Sequence, residues 1–232
     1  WVDPDGLSIS QTSAERRFIY ENWITSHLEG RPDLIERSMP NYPPSAKRML
    51  QDNGSWLNCL VKPNVELIRT GIEKITSDGV MTVDGEMHPA DVIVYATGFR
   101  HNDYLFGDEP TAYLGISIPN FPNLFCLYGP GTNLAHGASL IFQSECQVNY
   151  VMSAIRELLV GGHRAMEPKI DVHDRYVDTY VSEINQMVWA HPAVKHSHFK
   201  NKDGKIYTLS PWPIPDYWRW TRSVNSEDFD FV

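Results

Sequence analysis

The sequence predicts an α/β chain in which a parallel sheet with flanking helices is joined by a small β meander, and three observations carry that prediction. Asp91 to Phe99 is an unbroken apolar run, the signature of a strand buried on both faces rather than one. A second such run, Leu124 to Tyr128, ends at Gly129, Pro130 and Gly131. After a loop over Thr132–Ala138, the segment Ser139–Val160 places Ile141, Phe142, Val148, Val151, Met152, Ile155, Leu158 and Leu159 in an apolar helical stripe that Gly161 and Gly162 end. Strand, glycine loop, helix is the order expected of a nucleotide-binding α/β unit.

The other elements follow from local signals. Between Ser10 and Ile35, Phe18, Ile19, Ile24 and Leu28 recur near 3.6 spacing, so one or two surface helices are expected, with Ser13 as a candidate cap. Pro40, Pro43 and Pro44 then forbid a helix, and the loop that follows carries Lys47 and Arg48. The short runs Val65–Ile68, Ile72–Ile75 and Val80–Val83, separated by Gly71 and Gly79 and closed by Gly85, form the meander. Val172–Val188 predicts a further helix, Lys205–Leu209 a strand, and the last twenty residues an aromatic-rich tail.

Composition narrows the function. A chain of 232 residues holds one large or two small domains at roughly 150 residues per domain. Its 20 basic against 29 acidic residues give a net charge of −9, which argues against a nucleic-acid partner, since phosphate binding needs a basic face. Cys59, Cys126 and Cys146 are odd in number and form no CxxC pair, so they read as free thiols in a reducing compartment. No run nears the roughly 18 to 20 apolar residues of a membrane span, and the start lacks a basic region before an apolar block, so a cytoplasmic chain without a membrane partner is expected. The first residue is Trp1, which suggests a piece of a longer protein.

The GxGxxG turn that brings backbone up to a pyrophosphate is absent; after Gly129 and Gly131, Leu134 stands where a third glycine belongs. Gly98, behind Ala96 and Thr97 at the end of the first apolar run, lets the chain turn at the sheet edge where open α/β folds bind ligands. By itself, that pattern is a glycine turn closing a core strand.

Further residues widen the match. Ala46-Lys47-Arg48, Asp52 to Trp56, Asn64 to Leu67, Asp91 to Phe99, Phe121 to Phe125, Tyr128 to Leu134, Glu145-Cys146-Gln147, Ser210-Pro211-Trp212 and Asp216-Tyr217-Trp218 hold order and spacing from about Tyr42 to Phe229. In them the chain resembles the class B flavoprotein monooxygenases, the Baeyer–Villiger and flavin-containing monooxygenase family, and most of all their 4-hydroxyacetophenone type. The resemblance implies the C-terminal portion of a two-dinucleotide-domain flavoprotein. Residues 1–95 would end the NADP-binding domain with a helical insertion and the meander. Residues 96–165 would be the C-terminal part of the FAD-binding domain, and 166–232 a C-terminal helix and aromatic tail.

It also implies an enzyme that uses FAD, NADPH and molecular oxygen, forming a flavin peroxide that attacks a ketone or a soft heteroatom in a small-molecule substrate. Arg48 would be catalytic and Lys47 would touch the NADP phosphate region. The chemistry of the two side chains agrees, because a guanidinium fork stays charged and can hold a developing oxyanion, whereas an ammonium is a compact charge suited to phosphate. Thr97, Gly98, Asn133, Leu134 and Leu140 would contact cofactor, the last near the flavin ring, where the helix start offers N–H groups and partial positive charge. Oxygenation of amines or sulfides is the alternative within the enzyme class. The alternative of another class is a non-catalytic fragment or binding module, since both glycine fingerprints and the family's FxGxxxHxxxW signature are missing from these residues.

Three constellations carry less. His191, His196 and His198 lack standard zinc spacing, so no metal is expected. Trp212, Tyr217, Trp218 and Trp220 could line a substrate tunnel, but the expectation is that they clamp the terminus. Asp171, Asp174 and Asp178 read as a solvated helix face.

Overall fold

The computed structural model describes residues 3, 6–47, 52–96, 109–135, 138–195 and 197–232. The chain forms two compact units, one of Trp1–Asn41 and Met49–Arg100, the other of Tyr42–Arg48 and His101–Val232.

The first unit begins with helix α1, Gln11–His27, capped by Ser10 rather than Ser13: the Ser10 hydroxyl oxygen accepts the Ser13 N–H at 3.2 Å. None of its residues is buried, and Phe18 and Ile19 face outward. The apolar core starts at Leu28, just past the helix, and continues through Leu34 on α2 (Pro32–Ser38) and Leu57 and Leu60 on α3 (Ser55–Leu60). The Asp52 carboxylate starts α3 by accepting the N–H groups of Gly54 at 3.1 Å and Trp56 at 2.6 Å. An antiparallel meander follows, with β1 (Ile72–Ile75), β2 (Gly79–Thr82) and β3 (Met87–Pro89) in sequential order. Val65–Ile68 is not one of its strands; Val65 and Leu67 pack on the helical core instead.

The expected parallel sheet is not formed among the described residues, where both sheets are antiparallel. Residues 91–96 form no ladder, and Val92 and Val94 are 79% and 83% exposed. A strand needs a neighbour, and apolar character alone does not supply one. Thr97 to Phe99 lie outside the described residues. In the second unit, Leu124–Tyr128 makes a single antiparallel bridge, Phe125 with Ser117. Positive φ at Asn120, Asn123 and Tyr128 bends the backbone away from strand geometry on both sides.

The second unit is organised by helix α4, Leu140–Gly161. Ser139 caps it by accepting the Phe142 N–H, and Gly162 ends it in the left-handed region, donating to the Leu158 carbonyl. The buried side is Gln143, Cys146, Gln147, Tyr150 and Ala154. The apolar stripe is split: Val151 and Leu158 pack on the core, whereas Ile141, Met152 and Leu159 face outward at 71%, 59% and 77% exposed. The inner face is held by specific polar bonds. Gln147 accepts the Tyr128 N–H at 2.7 Å and donates to the Tyr217 hydroxyl at 3.0 Å, which donates to the Leu114 carbonyl at 2.8 Å.

Helix α5 (Ile170–Ile184) ends short of the expected Val188, which sits in a following 3₁₀ turn over Val188–Ala190. Strand β4 (Met166–Pro168) pairs antiparallel with the C-terminal β5 (Phe229–Phe231), and α6 (Ile214–Trp220) lies between α5 and β5 in the chain. Lys205–Leu209 is not a strand: Leu209 makes one parallel bridge with Asn133. The tail is clamped as expected. Trp212 donates its indole N–H to the Tyr176 hydroxyl at 3.0 Å, and its ring meets Trp220 edge-on at 5.2 Å.

Candidate functional site

In the second unit an open cleft of about 640 Å³ forms where three segments converge. Leu134, Ser139 and, from the first turn of α4, Phe142 form one side, the corner after α5 supplies Met187 and Trp189, and the run Ser210–Pro215 supplies Trp212 and Ile214. The first wall is fixed by main-chain pairing: the Asn133 N–H donates to the Thr208 carbonyl and the Ser210 N–H to the Asn133 carbonyl, each at 2.8 Å. The Asn133 side chain accepts the Ala135 N–H at 2.9 Å, a local turn that projects Leu134 at the cleft. The second and third walls belong to one apolar core of Tyr180, Ile184, Val188, Trp189, Phe199 and Leu209, against which Met187 and Trp212 pack.

The same core anchors the segment that carries Lys47. Ala46 is fully buried in it, Tyr42 packs on it, and the Ala46 carbonyl accepts the Ser197 hydroxyl at 3.4 Å. Lys47 is exposed, its ammonium 4.5 Å from the centre of the Tyr42 ring. The structure thus brings Asn133, Leu134 and the head of α4 together. Leu140 is half exposed at that head and is not one of the described cleft-lining residues, whereas its neighbours Ser139 and Phe142 are. Arg48, Thr97 and Gly98 lie outside the described residues.

The residues missed from sequence are Met187, Trp189, Ser210 and Ile214. Trp212, one of the tail aromatics that the sequence offers for a tunnel, both lines the cleft and clamps the tail. Gly129 and Gly131 serve packing: a Cβ on Gly129 would lie 2.4 Å from the Gly115 carbonyl oxygen. Among the described residues no group of three or more His, Cys, Asp and Glu could hold a metal ion. Among them, too, no helix is long and apolar enough to cross a membrane.

Buried phenols surround the inner face of α4. Burial, reinforced by the hydrogen bond to Asp228, pushes the Tyr113 hydroxyl well above the ordinary phenol range. Burial pushes Tyr176 up to about 12, partly offset by the Trp212 N–H that favours the phenolate. Tyr150 and Tyr217 are raised by the same loss of water. A folded-state pKa above the unfolded value of about 10 contributes stability that is complete below pH 10 and is lost as pH climbs through the folded value. The second unit is therefore expected to unfold cooperatively above about pH 10. Phenolate absorbance should rise together with loss of the near-ultraviolet circular dichroism; titration of these tyrosines ahead of unfolding would contradict their burial.

No family model matches the chain. It is 35% identical over 248 aligned positions to an uncharacterized monooxygenase of Sinorhizobium fredii, covering 99% of this chain and 37% of that protein. To a Baeyer–Villiger monooxygenase of Pseudomonas aeruginosa it is 29% identical over 198 positions, covering 78% of this chain and 37% of the relative. Among solved structures, the complex of OTEMO with FAD and NADP matches at TM-score 0.78 and 19% identity, over 96% of this chain and 45% of that one. Cyclohexanone monooxygenase from Rhodococcus sp. Phi1 bound to NADP+ matches at TM-score 0.75 and 24% identity, over 96% and 45%. The chain thus shares the fold of part of these enzymes and is related to monooxygenases, Baeyer–Villiger ones included. It spans a little over a third of the length of these curated relatives.

Proposed function

We propose that these residues form the C-terminal portion of a flavin-dependent monooxygenase that uses FAD, NADPH and O2 to insert one oxygen atom into a ketone, giving an ester or lactone. The observation that carries the reading is similarity along nearly the whole chain to monooxygenases, with FAD and NADP present in a structure of the same fold. The finer kinship, with enzymes acting on arylketones, belongs to the same proposal.

The residues present suit a flavin. The 22-residue α4 points its N-terminal end at an apolar, aromatic-walled cleft, and a helix start favours electron density on the edge of an aromatic ring. Bound FAD would supply reduction by NADPH and activation of oxygen. The chain's own part is to bind, orient and exclude water. Leu134 and Phe142 would form apolar walls beside the ring, Asn133 would hold the loop that carries Leu134, and Leu140, Thr97 and Gly98 would contact the cofactor. Lys47 would meet a phosphate of NADP, and Arg48 would hold the negative charge that develops on the reacting oxygen.

The test is product analysis of a complete protein containing this chain, supplied with NADPH, isotopically labelled O2, and one ketone and one sulfide in separate reactions. An ester carrying one labelled oxygen is expected from the ketone. Sulfoxide without ester would replace the reading by heteroatom oxygenation, and no labelled product from either would end it.

A further inference from the structure

We propose that Trp220, Trp212, Tyr176 and Tyr113 form an electron relay that carries a one-electron oxidising equivalent out of the cleft, either to the surface at Trp220 or inward to Tyr113, where Asp228 takes up the phenolic proton. The monooxygenase reading enters only as a source of the oxidant, an oxygen-derived radical; the relay itself stands on the placement of the side chains.

Continuity of the rings carries the argument. Trp212 is half-buried and lines the cleft. On one side its ring centre lies 5.2 Å from that of Trp220, which is 42% exposed. On the other side its ring centre lies 6.0 Å from that of Tyr176, whose oxygen accepts the Trp212 indole N–H at 3.0 Å. The Tyr176 ring in turn stands edge-on to Tyr113, 5.6 Å between centres. Each spacing is that of ordinary aromatic contact, so an electron passes from ring to ring with no saturated side chain to cross.

Protons decide where the oxidising equivalent comes to rest. Removing an electron from a phenol turns its O–H into a strong acid, so a tyrosine holds the oxidation only where a base is ready for the proton. Tyr113 has that base, because its hydroxyl donates to the Asp228 carboxylate at 2.8 Å. The Tyr217 hydroxyl donates to the Leu114 carbonyl instead, a group that takes up no proton at neutral pH. The Tyr176 oxygen already accepts an N–H, which draws electron density from its ring and makes it a bridge rather than a store. In the inward branch the oxidant takes one electron from Trp212 and leaves an indole radical cation. Tyr113 returns one electron to that indole through Tyr176, its O–H bond breaks, and the proton passes to Asp228. The oxidant is then reduced by one electron, Tyr113 is a neutral phenoxyl radical and Asp228 a carboxylic acid. In the outward branch Trp220 supplies the electron and loses its indole N–H proton to water.

The experiment uses the 232-residue chain at neutral pH, with tris(bipyridine)ruthenium(III) generated by a light flash as the one-electron oxidant. Transient absorbance and electron paramagnetic resonance distinguish indolyl from phenoxyl radicals. Indolyl should form first and pass into phenoxyl. Tyr113→Phe should abolish that growth of phenoxyl and prolong the indolyl signal. Asp228→Asn keeps an acceptor oxygen but is a far weaker base, so it should prolong the indolyl signal too, a change that altered packing would not produce. Trp212→Phe should cut the passage in a chain whose circular dichroism is unchanged. If that variant loses its fold, Trp220→Phe alters an exposed ring instead and should diminish the phenoxyl yield. Growth of phenoxyl that is the same in Tyr113→Phe, or the same in the folded indole variant, would overturn the relay. An indolyl lifetime untouched by Asp228→Asn would overturn the proton transfer on which it ends. Because the flash supplies the oxidant, a complete enzyme that forms no oxygenated product would end the monooxygenase reading and leave the relay standing.

Discussion

Replacing Arg48 with alanine in a complete protein is expected to abolish ester formation while leaving FAD bound. Reaction of oxygen with a ketone builds negative charge on oxygen, and a preorganised cation aimed at that charge is worth on the order of 10²- to 10³-fold in rate. A guanidinium keeps its proton throughout and offers two parallel donors, so Arg48→Lys should recover only a minor part of the activity. The measurements are ester yield and the ratio of flavin absorbance to protein. Unchanged ketone oxidation in the alanine variant would remove Arg48 from the mechanism, and loss of flavin would make it a binding residue.

Gly115→Ala is expected to be the most damaging small substitution in the second unit. Gly115 has φ +70°, and a Cβ there would sit 2.0 Å from the Thr132 methyl and 2.7 Å from the Pro130 carbonyl oxygen. Thr132 cannot yield easily, since it is fully buried and its hydroxyl donates to the Gly129 carbonyl at 2.7 Å. Strained φ plus overpacking should cost about 3 kcal/mol or more, lowering the thermal midpoint by roughly 6 to 12 °C. Gly204→Ala separates the two causes, because its φ is +78° with nothing within 4 Å of the added carbon. That variant should lose only about 1 kcal/mol. Comparable losses in both would show that conformation, not close approach, dominates at Gly115. The effect should reach the cleft, since Thr132 leads directly into Asn133 and Leu134.

What sequence revealed was what local chemistry decides. Helix α4 was legible from Ser139 to Gly162 because its cap and its stop are short-range contacts. Its orientation was not: burial belongs to whatever packs against a face, and the glutamine side, not the isoleucine side, meets Tyr128 and Tyr217. The apolar runs at 91–96 and 124–128 failed as strands for a related reason. Hydrophobicity says that a segment prefers company without naming a partner or a register, and Asn120, Asn123 and Tyr128 adopt backbone conformations that composition does not announce. Of the cleft, the Leu134 loop and Trp212 could be picked out, whereas Met187 and Trp189 come from a corner whose convergence with them exists only in three dimensions.

The outward-facing part of the α4 stripe has a practical corollary. A helix that turns amides inward and presents Ile141, Val148, Met152 and Leu159 to water gives this polypeptide a greasy ridge along a rod of about 33 Å, at 1.5 Å per residue. An apolar ridge in water costs free energy in proportion to its area, so self-association of the isolated chain is expected to rise with concentration, a trend that light scattering would register.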